Sequence, residues 1–462
     1  MAVSPQADHG ARTTAGKIIN ISTIIDEQPL NRFSLSVFAL CFLAMISDGY
    51  DLGVIGIGAP TIVRDFGISR AEMSPIFSAA LFGLFVGALS SGFIGDRIGR
   101  KRGIIGGCLL IGVATFGCGV AQNFTQLLIL RFLTGIGLGA LYPNTTAMMA
   151  EIIPAKHRGT FTAYVFMGIT VGGIIPGAVS AAFVGSDWRL MFFIGSAIPF
   201  VLVPLLIVFL PESLKLLALK PHRKPELLKW LTKLCPGMRP SMDDTYVLNE
   251  KKRAGLSVAV LFEGKAKLIT PILWVNFIAI MLANFFINSY LTIVLRSLGF
   301  STAEASLTAS LFYSGGICGG LLIGPAMDWM GPMVLAIYAL IGIASAAVLA
   351  MAHTNHLLVQ ALIIVMGFVV LASQLGLNAV VGMLYPTAVR SIGTGFCHSI
   401  GRIGAIGGPL IAGLLMAGHV DSFRFFIIPI VPLAVALVSI LLVTRLWIGK
   451  VLTPEKMRKH LV

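Results

Sequence analysis

The stretch Gly92-Phe-Ile-Gly-Asp-Arg-Ile-Gly-Arg-Lys-Arg102 decides how the rest of the chain is read. It sets Asp96, Arg97, Arg100, Lys101 and Arg102 between two apolar runs, 73–94 and 103–121, each close to the ~20 residues a helix needs to cross a bilayer. A charged glycine turn between two such runs reads as the short connection of a membrane hairpin. Its four cations hold it on the cytoplasmic side, where short basic loops are retained.

The spacing returns later in the chain. Gly324, Asp328 and Gly331 follow Gly92, Asp96 and Gly99 at an offset of 232 residues, and Pro386 and Arg390 follow Pro154 and Arg158 at the same offset. The second copy has lost basic character, with Trp329 in place of Arg97 and Met333 in place of Lys101. A parallel repeat of this length predicts two bundles of six helices, with substrate bound near the midplane between them. The competing reading, ordinary glycine and proline punctuation of hairpins, leaves the shared offset of two separate loops unexplained.

Composition agrees with a membrane-embedded body. Of 462 residues, 56% are hydrophobic and 12% charged, where a soluble domain carries about 25% charge. Apolar windows predict an all-α membrane protein with twelve spans, at 33–58, 73–95, 103–121, 126–150, 160–184 and 188–210, then 269–294, 306–327, 332–352, 357–385, 391–417 and 423–447. The domains expected are a cytoplasmic N-terminal segment (1–32), a first bundle (33–210), a cytoplasmic linker with one interfacial helix (211–268), a second bundle (269–447) and a cytoplasmic tail (448–462). Of the 34 Lys and Arg, 27 fall on the side of the two chain ends and only five on the other, which makes both ends cytoplasmic. The net charge of +14 then reflects topology and contact with anionic lipid, with nucleic-acid binding the weaker reading. The polar, mixed-charge start carries no cleavable signal peptide. Six cysteines without a Cys-x-x-Cys pair suggest neither a disulfide framework nor a metal site, and no cofactor is expected.

Ionisable side chains inside spans are costly and mark function. Asp48 and Asp51, in Ser47-Asp-Gly-Tyr-Asp-Leu52, fall near one face of the first span, and two acids so close in a poorly hydrated site do not ionise together readily. Such a carboxyl can take a proton on one side and release it on the other. The plainer reading is that they pair with cations of the bundle. Arg131, opening Arg-Phe-Leu-Thr-Gly-Ile-Gly-Leu-Gly139, must meet a carboxylate: Asp48, Asp51 or a substrate anion. The glycines behind it lack the preceding strand of a dinucleotide loop and read as close helix packing. Arg402, in Cys397-His-Ser-Ile-Gly-Arg402, is the best-placed cation of the second half for a substrate carboxylate, with His398 one turn away as its partner or as a packing residue.

The loop Gly-x-x-Gly-Asp-Arg-x-Gly-Arg-Lys at 92–101 resembles the signature of the major facilitator superfamily. With Asp48-Gly-Tyr-Asp51, the chain looks like the aromatic acid:proton symporter branch over 33–447. That resemblance implies a bacterial inner-membrane importer of an aromatic carboxylate, such as a hydroxybenzoate, driven by proton entry. It implies that both acids of the first helix are required, that Arg131 serves proton coupling or binding, and that an arginine at the place of Arg402 is required. For the ring, Tyr50, Tyr142, Phe285, Phe286, Tyr290, Phe312, Tyr313 and Tyr385 are candidate walls, with Asn144, Gln374 and Asn378 for ring hydroxyls. Gly92, Asp96, Arg97, Gly99, Arg100, Glu151, Arg158, Asp328 and Arg390 are expected to close the cytoplasmic mouth, extended by Glu212. Lipid and the substrate are the partners expected of a monomer.

Other functions fit less well. An ATP-driven pump would need a Gly-x-x-x-x-Gly-Lys-Ser/Thr loop, and a membrane enzyme would need a nucleophile–base pair or a His-Glu-x-x-His cluster; the sequence has neither motif. A sugar or polyol porter shares Glu151–Arg158 and Pro211-Glu-Ser213. A ligand sensor with a transporter fold would lack an output domain.

Overall fold

Glycine dictates which helices touch. The first half runs as β1 (Ile18–Asn20), α1 (Ile21–Glu27), α2 (Arg32–Phe66), α3 (Met73–Ile98), α4 (Arg100–Val120), α5 (Phe124–Ile152), α6 (Ala155–Ala182) and α7 (Trp188–Phe209). Then come α8 (Leu214–Ala218), α9 (Lys224–Leu234) and β2 (Thr245–Val247). The second half comprises α10 (Ala266–Ser297), α11 (Thr302–Met330), α12 (Met333–Met351), α13 (His356–Leu384), α14 (Arg390–Ala417), α15 (Ser422–Ile427) and α16 (Ile430–Ile448). The computed structural model describes residues 18–183, 187–238, 240–248, 261–262, 266–351, 355–385, 390–417 and 422–448, without the side chains at 92–97, 266, 390–392, 422–423 and 447–448. Twelve helices among the described residues are long and apolar enough to cross a membrane.

A Cβ at Gly135 would stand 2.0 Å from the Ala80 carbonyl oxygen, and one at Gly83 2.1 Å from that of Phe132, so α3 and α5 meet backbone to backbone. Gly315 and Gly367 bring α11 and α13 together in the same way, at 2.0 Å from Ile364 O and 1.8 Å from Phe312 O. Gly172 seats α6 on α2 and Gly404 seats α14 on α10, at 2.2 Å and 2.1 Å. Small residues at helix contacts let backbones approach where lipid offers no hydrophobic drive to associate. Each of these first-half glycines, 83, 135 and 172, has its second-half counterpart 232 residues on.

The turns repeat too. The positive-φ glycines are Gly67 and Gly99 (61° and 107°) and, 232 residues later, Gly299 and Gly331 (92° and 62°). Ser69 and Glu72 exchange backbone–side-chain hydrogen bonds, as do Ser301 and Glu304 in a capping box. The repeat thus governs backbone conformation as well as residue identity.

Three expectations need correction. The charged stretch is not an open loop: α3 runs through Ile98, α4 starts at Arg100, and the turn is Gly99 alone. The last span is broken at 428–429, where Pro429 separates α15 from α16. The 211–248 segment is more than a linker with one interfacial helix. In α9, Leu227, Trp230, Leu231 and Leu234 bury one stripe against the first bundle, Trp230 stacking on Phe33 at 5.7 Å. β2 pairs in parallel with β1, a small departure from an all-helical body.

We call the end carrying residues 18–31, α8 and α9 the basic face, and the opposite end the far face. In the far half the bundles are joined by hydrogen bonds from Ser78 to Ile406 O, Ser310 to Ile174 O and Tyr290 to Arg70 O, and between Ser180 and Ser306. One continuous apolar cluster joins both bundles there, and a second belongs to the first bundle toward the basic face.

Candidate functional site

The three-residue step from Asp48 to Asp51 turns the helix by about 300°, so the two carboxyls share a general direction and still find different neighbours. Asp51 meets Arg131 within the first bundle. One guanidinium nitrogen donates to both carboxylate oxygens at 2.8 Å, and Thr115 donates to one of them at 3.2 Å. Both side chains of the pair are about 1% exposed. Arg131 Nε is buried without a partner among the described residues. Beyond the pair, toward the far face, a small cleft is lined by Leu52, Phe77, Leu81, Arg131, Phe285 and Asn288.

Asp48 faces the other bundle. It is fully buried, and neither carboxyl oxygen has a hydrogen-bond partner of ordinary geometry. The Tyr142 side chain and the Arg402 guanidinium are its electrostatic neighbours. Arg402 lies over the Tyr142 ring, 5.2 Å from its centroid, a cation–π contact across the two bundles. A proline-bearing α5 brings Tyr142, and glycine-seated α14 brings Arg402, to this level.

On the second bundle, His398 Nε2 stands 2.6 Å from Asn378 Oδ1, with the imidazole edge-on to Phe277. One turn toward the far face, Asn284 on α10 donates to Gln374 Oε1 at 3.0 Å. Asn288 donates to the Tyr313 hydroxyl at 2.6 Å, and that ring packs on Gly173 of α6. Asp48, Tyr142, Arg402, His398, Asn378 and Gln374 therefore gather around the bundle interface.

Other candidates do not join them. Tyr50 points into its own bundle, donating to Met191 O at 2.8 Å, with its ring against Gly195. Asn144, two residues beyond Tyr142, projects from another face of α5, against Gly103 of α4. Phe286 stacks on Phe425, Tyr290 bonds to Arg70 O, and Tyr385 shares a hydrogen bond with Thr270. In each case the helical face decides, and residue type alone does not reveal it. Thr115, Asn284 and Asn288 went unrecognised in the sequence. Their signal was available, since uncharged polar residues inside spans also need partners.

The expected gate is also redistributed. Glu151 lies 3.9 Å from Arg100 and accepts a hydrogen bond from Ser213. Buried Glu212 accepts from the backbone N–H groups of Lys101 and Ser213, packed under Gly99. Arg158 does not pair with Glu151; it reaches Asp26 of α1 at 2.5 Å. Asp328 is exposed. The side chains of Asp96, Arg97 and Arg390 lie outside the described residues, and Gly92 falls in the same stretch. The network that is described is internal to the first bundle and its attached segment.

The chain compares with known proteins along nearly its whole length. The family model of the Major Facilitator Superfamily matches residues 41–370 and 272–459. The 4-hydroxybenzoate transporter PcaK of Pseudomonas putida is 32% identical over 434 residues, 93% of this chain and 97% of the relative. A gallate transporter of Pseudomonas putida is 34% identical over 408 residues, covering 86% and 89%. Among solved structures, a bacterial homolog of the human lysosomal transporter Spinster, inward-facing and unoccupied, superposes with a TM-score of 0.72 at 16% identity, covering 92% of this chain and 100% of that one. The last likeness concerns fold alone. With twelve membrane helices, an internal repeat and relatives that are transporters, this chain is a transport protein and no enzyme: it belongs to the major facilitator superfamily, in its aromatic acid:proton symporter family.

Proposed function

We propose that this protein imports an aromatic carboxylate together with a proton across a bacterial inner membrane, with the basic face and both chain ends in the cytoplasm. The far half is sealed by inter-bundle contacts, so the described state then opens inward. Asp48 carries the reading: it is a fully buried carboxyl at the bundle interface, beside the Tyr142 side chain and a cation of the opposite bundle. An unprotonated Asp48 holds Arg402 through its charge. A protonated Asp48 leaves Arg402 to an incoming carboxylate, so proton and substrate favour each other's binding. Asp51 and Arg131 neutralise each other, and the pair keeps a fixed dipole beside that exchange. The names of the relatives supply the substrate class, and Tyr142 supplies a ring face for it.

The test separates coupling from movement. Asp48→Asn, reconstituted in vesicles, should lose proton-driven accumulation of labelled 4-hydroxybenzoate while retaining exchange of labelled for unlabelled substrate. Full concentrative uptake by this variant would remove Asp48 from proton coupling. A wild type that accumulates a sugar and no aromatic acid would favour the porter reading that Glu151–Arg158 invites.

A further inference from the structure

Asn284 carries an unused acceptor. Its amide nitrogen donates to Gln374 Oε1 at 3.0 Å, whereas its Oδ1 is buried with no partner among the described residues. An unmatched buried acceptor is unfavourable, and a ligand bringing a donor relieves it. We propose that Asn284 and Gln374 read a ring hydroxyl on the end of the substrate opposite its carboxylate, so that this transporter selects hydroxylated aromatic acids over unsubstituted ones. The proposal rests on the aromatic carboxylate reading above and adds the group that specifies the member of that class.

Level in the bundle supports it. α13 runs from the far face toward the basic face, so Gln374 lies one turn farther out than Asn378. α14 runs the other way, so Arg402 lies one turn farther out than His398, which contacts Asn378. The α10 backbone meets Gly404 at Ile278 and Gly408 at Leu282 to Phe286, which sets Asn284 level with Gly408, on the far-face side of Arg402. A benzene ring with its carboxylate at the Arg402 guanidinium extends its meta or para position toward that level. Asn284 Oδ1 accepts a hydrogen bond from the phenolic O–H, and the amide nitrogen of Gln374 can donate to the same hydroxyl oxygen.

Dissociation constants of purified protein for benzoate, 2-hydroxybenzoate, 3-hydroxybenzoate and 4-hydroxybenzoate test it. The ortho hydroxyl bonds to its own carboxylate, so the 2-hydroxy acid serves as a control with the right atoms in the wrong place. Wild type should bind the 3- or 4-hydroxy acid about tenfold or more tighter than benzoate and the 2-hydroxy acid. Asn284→Val should erase that ratio, with the thermal unfolding of the purified variant certifying the fold; Gln374→Met should reduce it. Equal wild-type affinity for all four acids would overturn the hydroxyl reading and leave the aromatic carboxylate standing. No binding of any of them would overturn both. A parallel loss for benzoate and 4-hydroxybenzoate in both variants would make the amide pair structural.

Discussion

Arg131 and Arg402 are both arginines at membrane depth, yet their surroundings assign them opposite tasks. Arg131 is matched by Asp51 and buried to about 1% exposure, and breaking a buried pair by removing one partner costs about 3–5 kcal/mol. Arg131→Met should therefore markedly lower the melting temperature in detergent, and Asp51→Leu/Arg131→Met should recover most of the loss without recovering transport. If the single and double variants melt alike, the pair is not what holds α2 to α5. Arg402 forms no such carboxylate ion pair among the described residues; its guanidinium lies over Tyr142. Replacing the substrate carboxylate by an amide should then cost wild type far more affinity than it costs Arg402→Ala, with Arg402→Lys in between because it keeps charge without the planar fork. An amide penalty equal in wild type and Arg402→Ala would assign the carboxylate to another group. Charged residues in spans were legible in the sequence because their expense singles them out. The roles of Tyr50 and Asn144 were not, because one residue along a helix changes direction by about 100°, and only packing tells which face meets the other bundle.

At the scale of helices, glycine spacing carried most of what the sequence could say. Gly135 and Gly139 read as packing positions in the sequence, and α5 does lie backbone to backbone on α3 through them. The length of the turn at Gly99 was not readable, since charge in a stretch says nothing about where hydrogen bonding stops. α9 was misjudged for a similar reason: an amphipathic stripe fits a lipid surface or a protein groove equally, and here Phe33 and the first bundle cover it. The α6–α11 contact gives the clearest element-level prediction. A Cβ at Gly177 would stand 1.8 Å from Ser310 Oγ and 2.5 Å from the Ser306 carbonyl oxygen. The hydroxyl can rotate away and the backbone oxygen cannot. Gly177→Val should thus hold the far face open, bind substrate from that side and fail to accumulate it. A single cysteine at 310 should then react faster with a membrane-impermeant maleimide added at that face than the same cysteine in the parent. Unchanged labelling with normal uptake would show that α6 and α11 do not form the seal.

Across the whole molecule, the 232-residue repeat explains why two halves with different chemistry share one frame. Gly67 and Gly299, Gly99 and Gly331, and the Ser69/Glu72 and Ser301/Glu304 turns recur, while the buried acids Asp48 and Asp51 stand in the first half and the Asn284–Gln374 and Asn288–Tyr313 hydrogen bonds in the second. Such a frame moves substrate by rocking one bundle against the other about the midplane, and the far-half contacts must then break in every cycle. Ser180 Oγ and Ser306 Oγ are 2.9 Å apart, on α6 and α11 respectively, close enough for cysteines at these positions to form a disulfide. In a background with the six native cysteines replaced, Ser180→Cys/Ser306→Cys should cross-link under mild oxidation. Uptake should stop, substrate should still bind from the basic face, and a reducing agent should restore transport. Each single cysteine should be insensitive to the oxidant, which separates the cross-link from oxidative damage. A cross-linked protein that still transports at the parent rate would mean that the bundles pivot without parting at α6 and α11, and the rocking path would have to open elsewhere on the far face.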